Sequence, residues 1–148
     1  MPRKKYGSNG SCMNLFVYGT LLVPKIWEAV TRAPMPSSHP AELVGYSIFR
    51  IRNADYPGIV ESTPLDSVPG LIVLEVPDFA LRRLDAYEDS FYERRELIVK
   101  TKELGEAPAH AYCIRRTDAP TLLSNEPWTL AEFEATRLEH FWARTLGR

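Results

Sequence analysis

Apolar positions change their spacing several times along the chain, and each change predicts an element. Leu15-Phe16-Val17-Tyr18 is a short unbroken apolar run closed by Gly19-Thr20, the pattern of a fully buried strand that ends in a tight turn. Pro24 suits the first turn of a helix through about Arg32, with Ile26, Trp27 and Val30 on one side. The Pro/Ser-rich stretch from Ala33 to Pro40 reads as a connection. Candidate strands follow near Leu43–Ile51, Gly58–Glu61 and Gly70–Val76, separated by Pro57, Pro64 and Pro69. Asp78 can cap a helix through about Asp89. Tyr92 to Thr101 alternates charged and apolar residues as a long strand does, and after a turn at Gly105–Pro108 a further strand runs from Ala109 to Arg115. The chain closes with a helix. Thr129 and Glu132 form its capping box, Trp128 can staple to Phe133, and Leu130, Phe133, Leu138, Phe141 and Trp142 make its apolar stripe.

Residues 1–12 are basic, then Gly/Ser-rich, with nothing periodic to bury, so they are expected to form a flexible tail ahead of one domain over residues 13–148. At 148 residues, 45% of them hydrophobic, the chain can build one real core and has no room for a second domain. A formal net charge of −1 provides no broad positive field, and the aromatics are not interleaved with Lys and Arg; nucleic acid is not an expected partner. Two cysteines, Cys12 and Cys113, make neither a disulfide framework nor a paired zinc spacing, which suits a reducing compartment. Arg3-Lys4-Lys5 followed by the apolar run Met13 to Val23 imitates a signal peptide, but Tyr18-Gly19-Thr20 interrupts the run and Pro24-Lys25 ends it. The expectation is a cytoplasmic protein with no membrane span.

The carboxylate that changes the picture is Glu88. A helix from Asp78 puts it at i+7 from Leu81 and i+4 from Leu84, on the apolar face, with Asp85 at the edge of that face and Arg82, Arg83 and Asp89 pointing away. Burial without a fixed cation raises a carboxyl pKa towards neutrality, where proton transfer at physiological pH needs it. If the helix frays first, Glu88 is a cap or a surface carboxylate instead. Tyr18-Gly19-Thr20-Leu21 is the second feature: the Gly can bring bare N–H groups against a carboxylate or an oxyanion, or simply make a structural turn. It lacks the later glycines and the Lys of a phosphate loop. His110 and Cys113, three apart on a strand, face opposite sides, and His39, His110 and His140 are too scattered for a metal motif. No G-x-S-x-G elbow is present.

These residues resemble the gamma-glutamyl cyclotransferase-like family, in particular its AIG2-like branch. The resemblance is carried by Leu15-Phe16-Val17-Tyr18-Gly19-Thr20-Leu21, Tyr56-Pro57-Gly58-Ile59-Val60, Pro69 to Val76, and Leu84-Asp85-Ala86-Tyr87-Glu88-Asp89-Ser90-Phe91-Tyr92-Glu93-Arg94, in that order. It implies an α+β fold, a small partly closed β-barrel with flanking helices and a pocket near the first strand's turn. It implies Glu88 as general acid/base, Tyr18, Gly19, Thr20 and Leu21 as substrate-binding, and Tyr92 and Arg94 as residues that shape the site. The implied reaction releases 5-oxoproline from a γ-glutamyl amine or amino acid without cofactor or metal, the substrate being the one small-molecule partner. Asp89-Ser90-Phe91 replaces the Gly that often follows the Glu, and Leu22-Val23 replaces basic residues often found after the turn. A non-catalytic binding module on the same fold and a hydrolase releasing glutamate remain as alternatives.

Overall fold

The computed structural model describes residues 12–147. In chain order the elements are β1 (Cys12–Val17), a 3-10 turn (Thr20–Leu22), α1 (Pro24–Thr31), β2 (Ser38–Val44), β3 (Tyr46–Arg50), β4 (Pro57–Glu61), β5 (Ser67–Pro77), α2 (Asp78–Tyr87), β6 (Tyr92–Thr101), β7 (Gly105–Ile114) and α3 (Ala119–Leu122). A C-terminal helix follows as α4 (Leu130–Glu132), a π turn (Phe133–Arg137) and α5 (Leu138–Thr145). Five strands close a barrel in the order β1-β5-β2-β6-β7, and β3-β4 form a separate hairpin. All neighbouring pairs are antiparallel except β1 with β7, which meet in parallel at Leu15 and His110. The expected α+β barrel is thus present, and it is fully closed, which leaves no edge strand to protect.

Closure explains the unbroken apolar run of β1. Phe16 and Tyr18 face a core shared with Leu43, Val68, Ile72, Val99 and the small Ala109 and Ala111, drawn from every barrel strand. Leu15 and Val17 face the other way, into a second core with Ile26, Trp27, Leu81, Leu84, Phe133 and Phe141 of the helices. A strand buried on both faces cannot alternate apolar with polar. In β5 a bulge shifts the register between Met13 and Leu15 of its partner, with Glu75 in a left-handed conformation (φ 53°) and its N–H donating to Asn14 Oδ1 at 3.0 Å.

Several expected boundaries move. The Ala33–Pro40 connection ends early, because β2 begins at Ser38; Pro40 is tolerated since β2 pairs with β6 only at Ala41 and Glu42. The single strand expected at Leu43–Ile51 is two, broken by Gly45 at φ 90°. The β6–β7 turn lies before Gly105 rather than after it. Asp78 is the first helical residue, pairing with Arg82, and Pro77 takes the N-cap position. The C-terminal helix keeps its cap, Thr129 Oγ1 accepting from the Glu132 N–H at 3.2 Å, but carries the π turn and buries only Phe133 and Phe141 completely. Of the expected tail, residues 1–11 lie outside the described residues and Cys12 opens β1. No helix among the described residues is long and apolar enough to cross a membrane.

Candidate active site

Glu88 sits one residue beyond the helix that was expected to carry it. α2 ends at Tyr87, and Glu88 leaves in an extended conformation (φ −72°, ψ 143°) while its N–H still donates to Leu84 O at 3.0 Å. Helical phase up to Tyr87 therefore still aims the side chain at the face below Leu81 and Leu84. The carboxyl is half-buried and opens into a cavity of about 180 Å³ whose walls include Tyr18, Gly19, Thr20, Leu21, Tyr56, Tyr87, Tyr92, Tyr112 and Phe141. By the same measure one water needs roughly 10–15 Å³, so the cavity admits a small organic molecule. The structure thus brings together the five residues singled out from the sequence: Glu88, Tyr18, Gly19, Thr20 and Leu21.

Burial is the largest cause raising the Glu88 pKa, to about 8, and the negative charges of Asp89 and Asp85 add to it. No cation among the described residues offsets these: the nearby guanidinium, Arg94, is given to Asp85 at 3.0 and 3.2 Å. The cavity's phenols are already committed. Tyr18 donates to Tyr112 O at 2.6 Å, Tyr112 to Asp85 at 2.6 Å, Tyr92 to Pro57 O at 2.5 Å, and Tyr56 to Asp89 at 2.8 Å; Tyr87 and Thr20 hydroxyls share a bond of 3.0 Å. Burial pushes all five phenols above their ordinary range, so they are neutral at physiological pH. Among the groups lining the cavity with a resolved shift, only Glu88 is carried into the neutral range.

The turn is built by close approach. A Cβ on Gly19 would lie 2.9 Å from Pro57 Cγ, a rigid ring that cannot swing aside. Leu22 N–H donates to Gly19 O at 3.0 Å, the first bond of the 3-10 turn, so the N–H groups of Thr20 and Leu21 have no acceptor within it. Tyr18 contributes differently from its neighbours, because its ring is core and its hydroxyl serves the Tyr112 carbonyl. Asp89, expected to point away, lines the cavity instead, since the chain has left the helix before it. Tyr92 also lines the cavity, and Arg94 stands behind it on Asp85. Tyr56, Tyr87, Tyr112 and Phe141 were not singled out as site residues; the motif blocks contain Tyr56 and Tyr87, the helix stripe contains Phe141, and Tyr112 carried no signal. His110 and Cys113 do not meet at a site: Cys113 is in the barrel core with its thiol pushed up to about 12 by burial. Among the described residues no three His, Cys, Asp or Glu side chains converge to hold a metal ion.

Residues 15–130 match the family described as gamma-glutamyl cyclotransferase, AIG2-like. Protein AIG2 C of Arabidopsis thaliana is 29% identical over 129 residues, spanning 86% of this chain and 76% of that protein. An Arabidopsis thaliana protein solved in solution superposes with a TM-score of 0.70 at 26% identity, covering 93% of this chain and 82% of the other. The crystal structure of an AIG2-like protein from Mus musculus has the same fold, with a TM-score of 0.64 at 24% identity over 79% of this chain and 88% of that one.

Proposed function

The chain belongs to the gamma-glutamyl cyclotransferase, AIG2-like family, and from that premise we propose that it releases 5-oxoproline from a γ-glutamyl amine or amino acid, with Glu88 carrying the protons. One observation supports this above the others: a carboxyl raised towards neutrality by burial shares a cavity with a strand-end turn whose Thr20 and Leu21 N–H groups have no acceptor within the turn. A carboxyl held near neutrality suits proton transfer, the task that would distinguish an enzyme from a binding module.

The reaction needs little more. The substrate's α-ammonium gives a proton to the Glu88 carboxylate, and its positive charge, on entering, itself favours that carboxylate. The freed amine attacks its own γ-carbonyl carbon, forming the ring C–N bond and a tetrahedral oxyanion. Collapse breaks the bond to the departing amine, which takes the proton back from Glu88; the regenerated carboxylate then removes the second proton from the ring nitrogen and passes it to the released amine, leaving neutral lactam N–H and an ammonium. Both reacting atoms belong to one glutamyl unit, so proximity contributes much of the acceleration. Thr20 and Leu21 N–H groups suit the substrate carboxylate or the oxyanion.

The experiment is Glu88→Gln. It keeps shape and a polar tip but cannot shuttle a proton, so 5-oxoproline release should fall about 10²–10⁴-fold while γ-glutamyl ligands still bind. Release at the wild-type rate would remove Glu88 from this role. Free glutamate as product would replace the cyclotransferase reading with a hydrolase.

A further inference from the structure

The hydroxyls of the cavity that holds Glu88 can be counted proton by proton, since each has one proton to donate and lone pairs with which to accept. Four phenols have spent theirs: Tyr18 on the Tyr112 carbonyl, Tyr112 on Asp85, Tyr92 on the Pro57 carbonyl and Tyr56 on Asp89. Thr20 and Tyr87 differ. Their hydroxyl oxygens are 3.0 Å apart, both residues line the cavity, and neither hydroxyl makes another hydrogen bond among the described residues. Two protons and one shared bond leave one O–H without an acceptor, whichever of the two donates. Thr145, the other hydroxyl of the lining, is exposed, whereas Thr20 is 6% exposed and Tyr87 is half-buried. An O–H withdrawn from solvent without an acceptor is costly, and an entering ligand oxygen removes that cost.

Acidity decides the sense of the shared bond. A phenol is a stronger donor to an anion than an alcohol, so Thr20 Oγ1 donates to the Tyr87 oxygen and the Tyr87 O–H is left for the ligand; accepting from Thr20 strengthens it as a donor. Burial pushes the Tyr87 phenol above its ordinary range, which keeps it protonated. Tyr87 ends α2 immediately before Glu88, and both side chains line the one cavity. In the cyclotransferase reading Glu88 exchanges protons with both nitrogens on the γ-carbon, so the γ-carbonyl lies beside it, within reach of a donor on the neighbouring residue. We propose that Tyr87, backed by Thr20, donates a hydrogen bond to the γ-carbonyl oxygen of the glutamyl unit, a bond that strengthens as this oxygen becomes the oxyanion. Tyr87 keeps its proton throughout. The proposal rests on the cyclotransferase reading for the identity of that oxygen.

The test uses an asymmetry between two variants. Tyr87→Phe and Thr20→Val both break the bond between the two side chains, but only the first removes the outward O–H. Tyr87→Phe should lower kcat for 5-oxoproline release about 10²–10³-fold with little change in KM. Thr20→Val should lower it about tenfold or less. Equal losses in the two variants would make the pair a structural tie and overturn the proposal, as would an unchanged kcat in Tyr87→Phe. Calorimetric binding gives a second readout that needs no turnover. The phosphonic acid analogue of L-glutamate puts anionic tetrahedral oxygens at the γ position, and L-glutamine puts a neutral planar carbonyl there. Tyr87→Phe should weaken the phosphonate about 10–100-fold and glutamine less than about tenfold, the difference between charged and neutral hydrogen bonds. Retained glutamine binding also shows that the variant folds, and Thr20→Val should keep the wild-type preference for the phosphonate. Equal weakening of both ligands, loss of the preference in Thr20→Val, or no binding of the phosphonate to the wild type overturns the proposal. Tyr87-dependent phosphonate binding without 5-oxoproline from any γ-glutamyl compound keeps the donor and sinks the cyclotransferase reading instead.

Discussion

Glu88 matters because of what surrounds it. Its folded pKa is raised from 4.5 to about 8, so folding takes up a proton between those two values and stability falls as pH rises through the window. Below the window both states are protonated, and above it both are ionised, so the penalty is absent at low pH and complete above about 8. The expected slope, relative to Glu88→Gln, is up to about 1.4 kcal/mol per pH unit, readable by denaturant unfolding of both proteins across the window. A difference that stays flat with pH would show an ordinary exposed carboxylate. Asp85 provides part of the shift, and it also holds Arg94. In Asp85→Asn a negative charge is lost and the guanidinium is released, and both changes favour ionised Glu88. The pH at which Glu88 titrates, followed by NMR of the labelled carboxyl or by the pH dependence of kcat/KM, should move down. No movement would mean that Asp85 is not felt at the site.

At the scale of elements, the Thr20–Tyr87 hydroxyl bond ties the strand-end turn to the end of α2, and Pro57 of β4 packs directly against Gly19. Gly19→Ala forces that contact apart, and overpacking of this kind typically costs about 1–3 kcal/mol. Displacing the turn should lower kcat/KM for a γ-glutamyl substrate roughly tenfold or more, by the same energy scale, through KM where the N–H groups hold the substrate carboxylate and through kcat where they hold the oxyanion; an unchanged kcat/KM would separate the turn from the site. The run Leu15–Tyr18, the helix after Pro24 and the Thr129 cap were legible because each depends on neighbours in sequence. The start of β2 was not, since Ser38 and His39 pair with Val73 and Ile72, residues more than thirty positions away. Nor was the end of α2 legible, although the direction of Glu88 was, because one residue of lost helix does not alter the phase already set.

For the whole molecule, the C-terminal helix is the piece that closes the site, and it is held by an aromatic row. Trp128 packs on Phe133 at 5.5 Å, Phe133 on Phe141 at 5.6 Å, and Phe141 on Tyr56 at 6.3 Å between ring centroids. Phe133 is buried and does not line the cavity that holds Glu88. Phe133→Ala should therefore cost about 3–5 kcal/mol, with the helix loosened before the barrel, as hydrogen exchange would register. Exchange protection lost evenly across the barrel strands would contradict a locally docked helix. By itself the sequence determined the periods, the Thr129 cap, the candidate carboxylate and the glycine turn, because those follow from steric and hydrophobic preferences over a few residues. Only the tertiary structure decided that Tyr56, Tyr87 and Tyr112 close round Glu88, and that Arg94 is spent on Asp85. Barrel closure and helix docking bring together residues 18, 56, 88, 112 and 141, and the pKa of a carboxyl is set by the charges and solvent it meets in space, whatever their distance along the chain.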